Sequence, residues 1–165
     1  SSYLENPPRF TFLQAIDVPE EGKGNTLFFN QFLAYESLPK NMKEKIENLK
    51  GIFSSKGKIA KTRLLREAEH GTSNIKEIKS EHNLVQNIDG RKTIYCSPGH
   101  VVGITNLKSG QKELISFLTS HQTKKVFSFS FSWKKGDIAV WSNRSMLHAA
   151  TAFSGDRRMF RITIQ

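Results

Sequence analysis

The last third of the sequence most constrains what this chain can fold into. Strand-like segments at residues 126–133, 138–141, 145–150 and 157–164 follow one another closely, with turn residues at 134–137 (KKGD) and 154–156 (SGD). Gaps this short leave no room for the crossover helices that parallel strands require. The pattern therefore favours a β-sandwich or jelly roll and argues against a parallel α/β sheet.

The first two thirds predict further strands with a few helices inserted. Residues 9–18 and 26–29 are strand-like, as are 84–87 and 93–96, which flank an Asp89-Gly90 hairpin turn. Helices are expected at 31–37, from Pro39 to Gly51, and at 110–121. Ser109 is the expected cap of the last helix, and its apolar stripe is formed by Leu114, Phe117 and Leu118.

The polar, basic stretch at residues 54–80 is predicted to be a long excursion from the core, such as a lid or a disordered loop. The 165 residues suit one domain, and we expect residues 1–165 to form one that is mainly β with inserted helices. The chain starts at Ser1 rather than Met and stops within a strand pattern, so we expect a fragment of a longer protein.

Charge and cysteine content limit the function classes. Lys and Arg number 25 against 15 Asp and Glu, and residues 40–66 hold nine of them against two Glu. A nucleic-acid-binding module on 40–66 is one hypothesis, but Phe53 is the only aromatic residue among these charges, so a solvated surface is favoured. The single cysteine, Cys96, excludes a disulfide within this sequence, and no apolar run is long enough for a membrane span. A cytoplasmic location is the default expectation.

Candidate site residues concentrate between positions 133 and 161. His148 lies among small and apolar neighbours on a predicted strand, which favours a side chain that faces the interior. On the returning strand, Arg157 and Arg161 share one face, whereas Arg158 faces the other. This arrangement suits a metal-chelated anion, with imidazole on the metal and a guanidinium on a carboxylate. A hydrogen-bonded core histidine and surface arginines are the structural alternative.

Three segments together resemble the taurine dioxygenase (TauD/TfdA) family of Fe(II)- and 2-oxoglutarate-dependent oxygenases. They are GNTLFFNQFLAYESLP, DGRKTIYCSPGHVVGI and WKKGDIAVWSNRSMLHAATAFSGDRRMFRITI, in the family's order. The resemblance implies a double-stranded β-helix (a cupin-like jelly roll), incomplete at its N-terminus. It also implies a dioxygenase that uses Fe(II), 2-oxoglutarate and O2, hydroxylates a small substrate, and releases succinate and CO2.

The resemblance assigns roles residue by residue. His148 matches the second histidine of the iron-binding triad, and Thr26 and Arg157 match the residues that bind 2-oxoglutarate. Arg161 matches an arginine that meets the anion of substrate or co-substrate. The gap after His148 is shorter than in the family, so Arg158 is a register alternative to Arg157. The other two ligands come from an HxD motif, expected just upstream of Ser1, so we expect this chain to bind iron weakly and to be inactive alone.

The other histidines match no ligand position, and we expect surface or packing roles for His70, His82, His100 and His121. Ser142 stands where the family has an aspartate that is not an iron ligand, so the expected cost is structural. The substrate is expected to be a small organic anion, with no membrane or nucleic-acid partner, and the protein could form a homo-oligomer, as is common in the family. The alternative function is a non-catalytic binding module on the same fold.

Overall fold

The computed structural model describes residues 2–19, 23–59 and 76–165. Short helices α1 Gln31–Glu36 and α2 Lys40–Ile46, a longer helix α3 Gln111–Gln122 and a 3-10 turn Lys125–Phe127 interrupt a mainly β structure. The strands are β1 Phe10–Asp17, β2 Thr26–Asn30, β3 Lys50–Ser54, β4 Lys79–Asn83, β5 Val85–Ile88, β6 Arg91–Ile94, β7 Val101–Thr105, β8 Ser128–Phe131, β9 Ile138–Ser142, β10 Met146–Ala150 and β11 Arg158–Ile164. The mainly β character expected from the sequence is confirmed.

Strands from the two ends of the chain form two antiparallel sheets, ordered β11-β1-β9 and β10-β2-β8. They meet face to face, because Trp141 of the first sheet contacts the rings of Phe28 and His148 in the second, with centroids 5.2 and 4.8 Å apart. The strands predicted in the last third are confirmed, although residues 126 and 127 of the first one belong to the 3-10 turn. This pairing brings residues 26–30 beside residues 146–150.

The middle of the chain forms a separate layer with its own core. Sheet β4-β3-β7 and hairpin β5-β6 pack with α1, α2 and α3 around a buried apolar cluster. The hairpin confirms the predicted turn, since Asp89 and Gly90 have φ values of 50° and 82°, as a type I′ turn requires. The largest fully buried apolar side chains of this cluster are Phe53, Ile46, Leu84, Ile94, Ile104 and Leu118.

Several expectations for this layer were wrong. Residues 50–54 form the central strand β3, although they were assigned to a helix end and to the excursion; burial on both faces removes the alternation that marks a half-buried strand. Strands β4 and β7 were also missed, and β4 begins within the last two residues of the expected excursion at 54–80. Within that excursion, residues 60–75 lie outside the described residues.

Helix α3 also departs from its prediction at two points. Gly110, with φ of 75°, is the N-cap in place of Ser109, and no side chain caps this end. Leu114 and Leu118 are buried, whereas Phe117 is 39% exposed and stacks on His121. The helix turns one side of the predicted stripe towards the core and leaves Phe117 at the edge.

Candidate active site

His148 lies in the wall of a cavity of about 320 Å³ between the end sheets and the middle layer. Its strand β10 pairs with β2, which places His148 opposite Phe28, and Trp141 packs against its ring. The alternation along β10 points His148 to the same side as Met146. The wall of this cavity also includes Arg161, Arg144, His100, Tyr95, Gln31, Asn143 and Ser2.

The imidazole of His148 is neutral near pH 7. Its side chain is exposed to the open cavity, but the rings of Trp141 and Phe28 lie against it and partly desolvate the imidazole. This desolvation lowers the pKa of His148 to about 4, with the positive charge of Arg161 acting in the same direction and a hydrogen bond to the Met146 backbone opposing both. Neutral imidazole is the form that ligates a metal.

Arg161 and His148 lie in the wall of the same cavity although they come from different sheets. Arg161 pairs with Leu13 across β1, on the face of the sheet that also carries Thr11 and Trp141. That face meets the second sheet at Trp141. The fold thus brings together two of the residues that the sequence singled out.

Neither Arg157 nor Thr26 is among the residues that line this cavity. The Arg157 Nε donates a hydrogen bond to the Gly24 carbonyl at 3.2 Å, and burial lowers the pKa of its guanidinium. Gly24 has φ of 66°, and a Cβ there would lie 3.2 Å from the Arg157 side chain, so glycine permits this approach. The buried hydroxyl of Thr26 accepts a hydrogen bond from Trp133 Nε1 at 2.9 Å.

Arg158 has different surroundings from Arg157. Its side chain is 72% exposed and pairs with Asp17 at 2.7 Å. A register shift in β1 between Ala15 and Asp17 places Arg158 opposite that carboxylate.

Comparison with known proteins decides the family. The model of the family described as "Taurine catabolism dioxygenase TauD, TfdA family" matches residues 1–163. This chain belongs to the TauD/TfdA family.

Relatives in the TauD/TfdA family cover nearly the whole chain. Pentalenolactone F synthase of Streptomyces avermitilis is 26% identical over 97% of this chain and 57% of its own length. The alpha-ketoglutarate-dependent 2,4-dichlorophenoxyacetate dioxygenase of Cupriavidus pinatubonensis is 26% identical over 99% of this chain and 57% of its own. The crystal structure of a taurine dioxygenase from Burkholderia xenovorans superposes with a TM-score of 0.81 at 25% identity, covering 99% of this chain and 54% of that one. The chain therefore spans little more than half the length of these relatives.

TauD/TfdA dioxygenases use Fe(II), 2-oxoglutarate and O2. Within residues 2–19, 23–59 and 76–165, no three His, Cys, Asp or Glu side chains cluster as a metal site would require. His148 alone therefore does not make an iron site in the described part of the chain.

Asn143, in the Trp-Ser-Asn-Arg segment that resembles the family motif, forms hydrogen bonds with the N-terminal residues beside the cavity. Thr11 Oγ1 donates to Asn143 Oδ1 at 3.0 Å, and Asn143 Nδ2 donates to the Pro8 carbonyl at 3.1 Å. Ser2, Pro7 and Pro8 consequently line the cavity that holds His148.

The other histidines divide between packing and the cavity. His121 is buried and contacts the Ala34 carbonyl through Nε2, and His82 contacts the Leu4 carbonyl in the same way, so both have packing roles as expected. His100 packs on Tyr3 but also lies in the cavity wall, which sequence reasoning missed. The Pro98-Gly99 pair before it predicts a turn but does not indicate which cavity the histidine will line. His70 lies outside the described residues.

In the described part of the chain, none of the helices is both long and apolar enough to cross a membrane.

Proposed function

We propose that this chain is the C-terminal part of an Fe(II)- and 2-oxoglutarate-dependent dioxygenase with a double-stranded β-helix fold. The enzyme would hydroxylate a small organic anion and release succinate and CO2. The observation that carries the proposal is the family match over residues 1–163, in a fold that places His148 and Arg161 in one cavity.

His148 is the proposed metal ligand from this chain, and its neutral imidazole suits that role. The HxD ligands are proposed to precede Ser1. This position is supported by Ser2, which lies in the wall of the His148 cavity, so residues just before it in the polypeptide would reach the same cavity. When bound, the iron would supply the activation of O2.

Arg157 and Thr26 are proposed to hold the distal carboxylate of 2-oxoglutarate. Arg157 is half-buried beside Gly24, two residues before Thr26, whereas Arg158 is exposed and engaged with Asp17. This difference favours Arg157 over the register alternative. Arg161 is proposed to meet an anionic group of substrate or co-substrate, since it shares the cavity with His148.

The test compares this chain with the open reading frame extended upstream of Ser1. The 165-residue chain, supplied with Fe(II), 2-oxoglutarate and O2, is expected to release no succinate. The extended protein is expected to contain His-x-Asp and to release succinate, and His148→Ala should abolish that release. Succinate from the short chain would contradict the assignment of ligands to the upstream segment. An intact upstream frame without His-x-Asp would instead establish a non-catalytic binding module on this fold.

A cytoplasmic location, a single domain over residues 1–165 and assembly as a homo-oligomer remain proposals.

A further inference from the structure

Arg144 stands at a junction between two cavities. It lies in the turn between β9 and β10 and lines the His148 cavity. It also lines a second cavity, of about 370 Å³, and Tyr95 and Pro7 likewise contribute to both walls. The remaining residues of the second wall are Asn6, Arg9, His82, Gln86 and Gln165.

The side chains of both walls carry positive charge without an acidic partner. Arg144 and Arg161 line the first cavity, and Arg9 and Arg144 line the second. Neither wall includes an Asp or Glu side chain among the described residues. Side-chain charge of one sign concentrates ligands of the opposite sign, so the arginines favour an anion, although Gln165 at the second wall carries the terminal carboxylate of the 165-residue chain.

The guanidinium of Arg144 retains free donors in this setting. Its Nε donates to Gln86 Oε1 at 2.9 Å, which orients the planar group. Within residues 2–19, 23–59 and 76–165, its terminal nitrogens make no hydrogen bond or ion pair. Ser142, two residues earlier, offers only a hydroxyl, which accepts the backbone N–H of Arg144 at 3.3 Å. The fork of terminal N–H groups matches the oxygens of a carboxylate, sulfonate or sulfate.

We propose that Arg144 recognises the substrate's oxyanion, and that the second cavity receives the charged end of an elongated organic anion whose reacting end lies beside His148. This proposal rests on the proposed function, which makes the His148 cavity the reaction site. Arg9 adds a second positive charge to the subsite, and Gln86 positions the guanidinium.

The test measures binding of 2,4-dichlorophenoxyacetate and of its neutral amide to the metal-free 165-residue chain by calorimetry. The wild-type chain should bind the acid at least tenfold more tightly than the amide. Arg144→Gln should remove this preference while leaving amide binding unchanged, because only the acid carries an anion. The matched control, Arg91→Gln, removes an exposed arginine that pairs with Glu36 and should retain the preference. Equal affinity for acid and amide in the wild type, no binding of either, or a preference that survives Arg144→Gln would overturn the proposal.

A second variant covers the case in which Arg144→Gln fails to fold. Arg144→Lys keeps the charge but lacks the fork, so the preference should fall about threefold to tenfold. An unchanged preference in a folded Arg144→Lys would overturn the assignment.

Binding of N-oxalylglycine, a 2-oxoglutarate analogue, separates this proposal from the proposed function. It should weaken with Arg157→Gln and remain unchanged with Arg144→Gln. If Arg157→Gln weakens N-oxalylglycine binding but Arg144→Gln leaves the preference for the acid unchanged, only the further inference fails. If Arg144→Gln removes the preference for the acid but Arg157→Gln does not weaken N-oxalylglycine binding, the co-substrate assignment of the proposed function fails.

Discussion

The middle layer and the β11-β1-β9 sheet contain similar apolar residues but differ in what covers them. In the middle layer, Phe53, Leu84 and Leu118 are fully buried between the sheet and the helices. The outer face of the β11-β1-β9 sheet, opposite to Arg161 and Trp141, has no such layer among the described residues. Its apolar side chains are Phe10, Phe12, Ile138, Val140, Phe160, Ile162 and Ile164, and all except Phe12 are at least 40% exposed.

The difference shows that this sheet is apolar on its outer face while its inner face carries the site. Sheets with two apolar faces are normally covered on both sides, and exposed apolar patches of this extent mark contact surfaces. The middle layer, in contrast, already encloses its core within the described residues. Stability should therefore depend on the middle layer, and the outer face should contribute little in this chain.

The largest expected effect is on the free energy of unfolding, for one variant in the middle layer and one on the outer face of the β11-β1-β9 sheet. Phe53→Ala removes a fully buried ring and should lower the free energy of unfolding by about 3–5 kcal/mol. Ile162→Ala, at a side chain that is 50% exposed, should cost about 1 kcal/mol or less. Urea denaturation measures both, and equal losses would show that the outer face is covered.

Cys96 provides a second measure of how closed the middle layer is. Burial raises the pKa of its thiol to about 12, so the reactive thiolate is scarce at pH 8. Labelling by iodoacetamide should be at least a hundredfold slower than in the urea-unfolded chain. Rapid labelling under native conditions would indicate that this layer opens without unfolding.

A smaller difference in stability is expected between variants of two buried tryptophans, Trp133 and Trp141. Trp133→Phe removes the donor to the Thr26 hydroxyl, whereas Trp141 Nε1 has no partner among the described residues. Trp133→Phe should therefore cost about 1 kcal/mol more than Trp141→Phe, because only the first leaves a buried hydroxyl without its donor. Thermal unfolding of both variants gives the difference, and equal costs would contradict it.

The smallest effect concerns the exposed arginine beside the site. Arg158→Gln removes a surface ion pair with Asp17 and should change the free energy of unfolding by less than about 1 kcal/mol, and less still in high salt. The Asp17→Asn variant and the double variant complete a mutant cycle. A coupling that persists in 1 M salt would contradict a solvent-screened pair.

Sequence reasoning succeeded where local chemistry decides the structure. The hairpin at Asp89-Gly90 needs positive φ at both positions, and the strands of the last third are separated by turn residues. It failed at β3, because residues buried on both faces show no alternation, and at the helix cap, where Gly110 replaced Ser109. His100 was missed because a turn histidine gives no indication of which cavity it will line.

The sequence by itself determined the mainly β character, the identity of His148, Arg157 and Arg161 as candidates, and the resemblance to the TauD/TfdA family. Those features depend on residue types and spacing along the chain. Only the tertiary structure decided that Arg161 shares the His148 cavity, that Arg158 pairs with Asp17, and that Arg144 lies between two cavities. These relations depend on the pairing of β1 with β11 and of β2 with β10. The paired strands are more than a hundred residues apart, and the local sequence pattern does not determine the register between them.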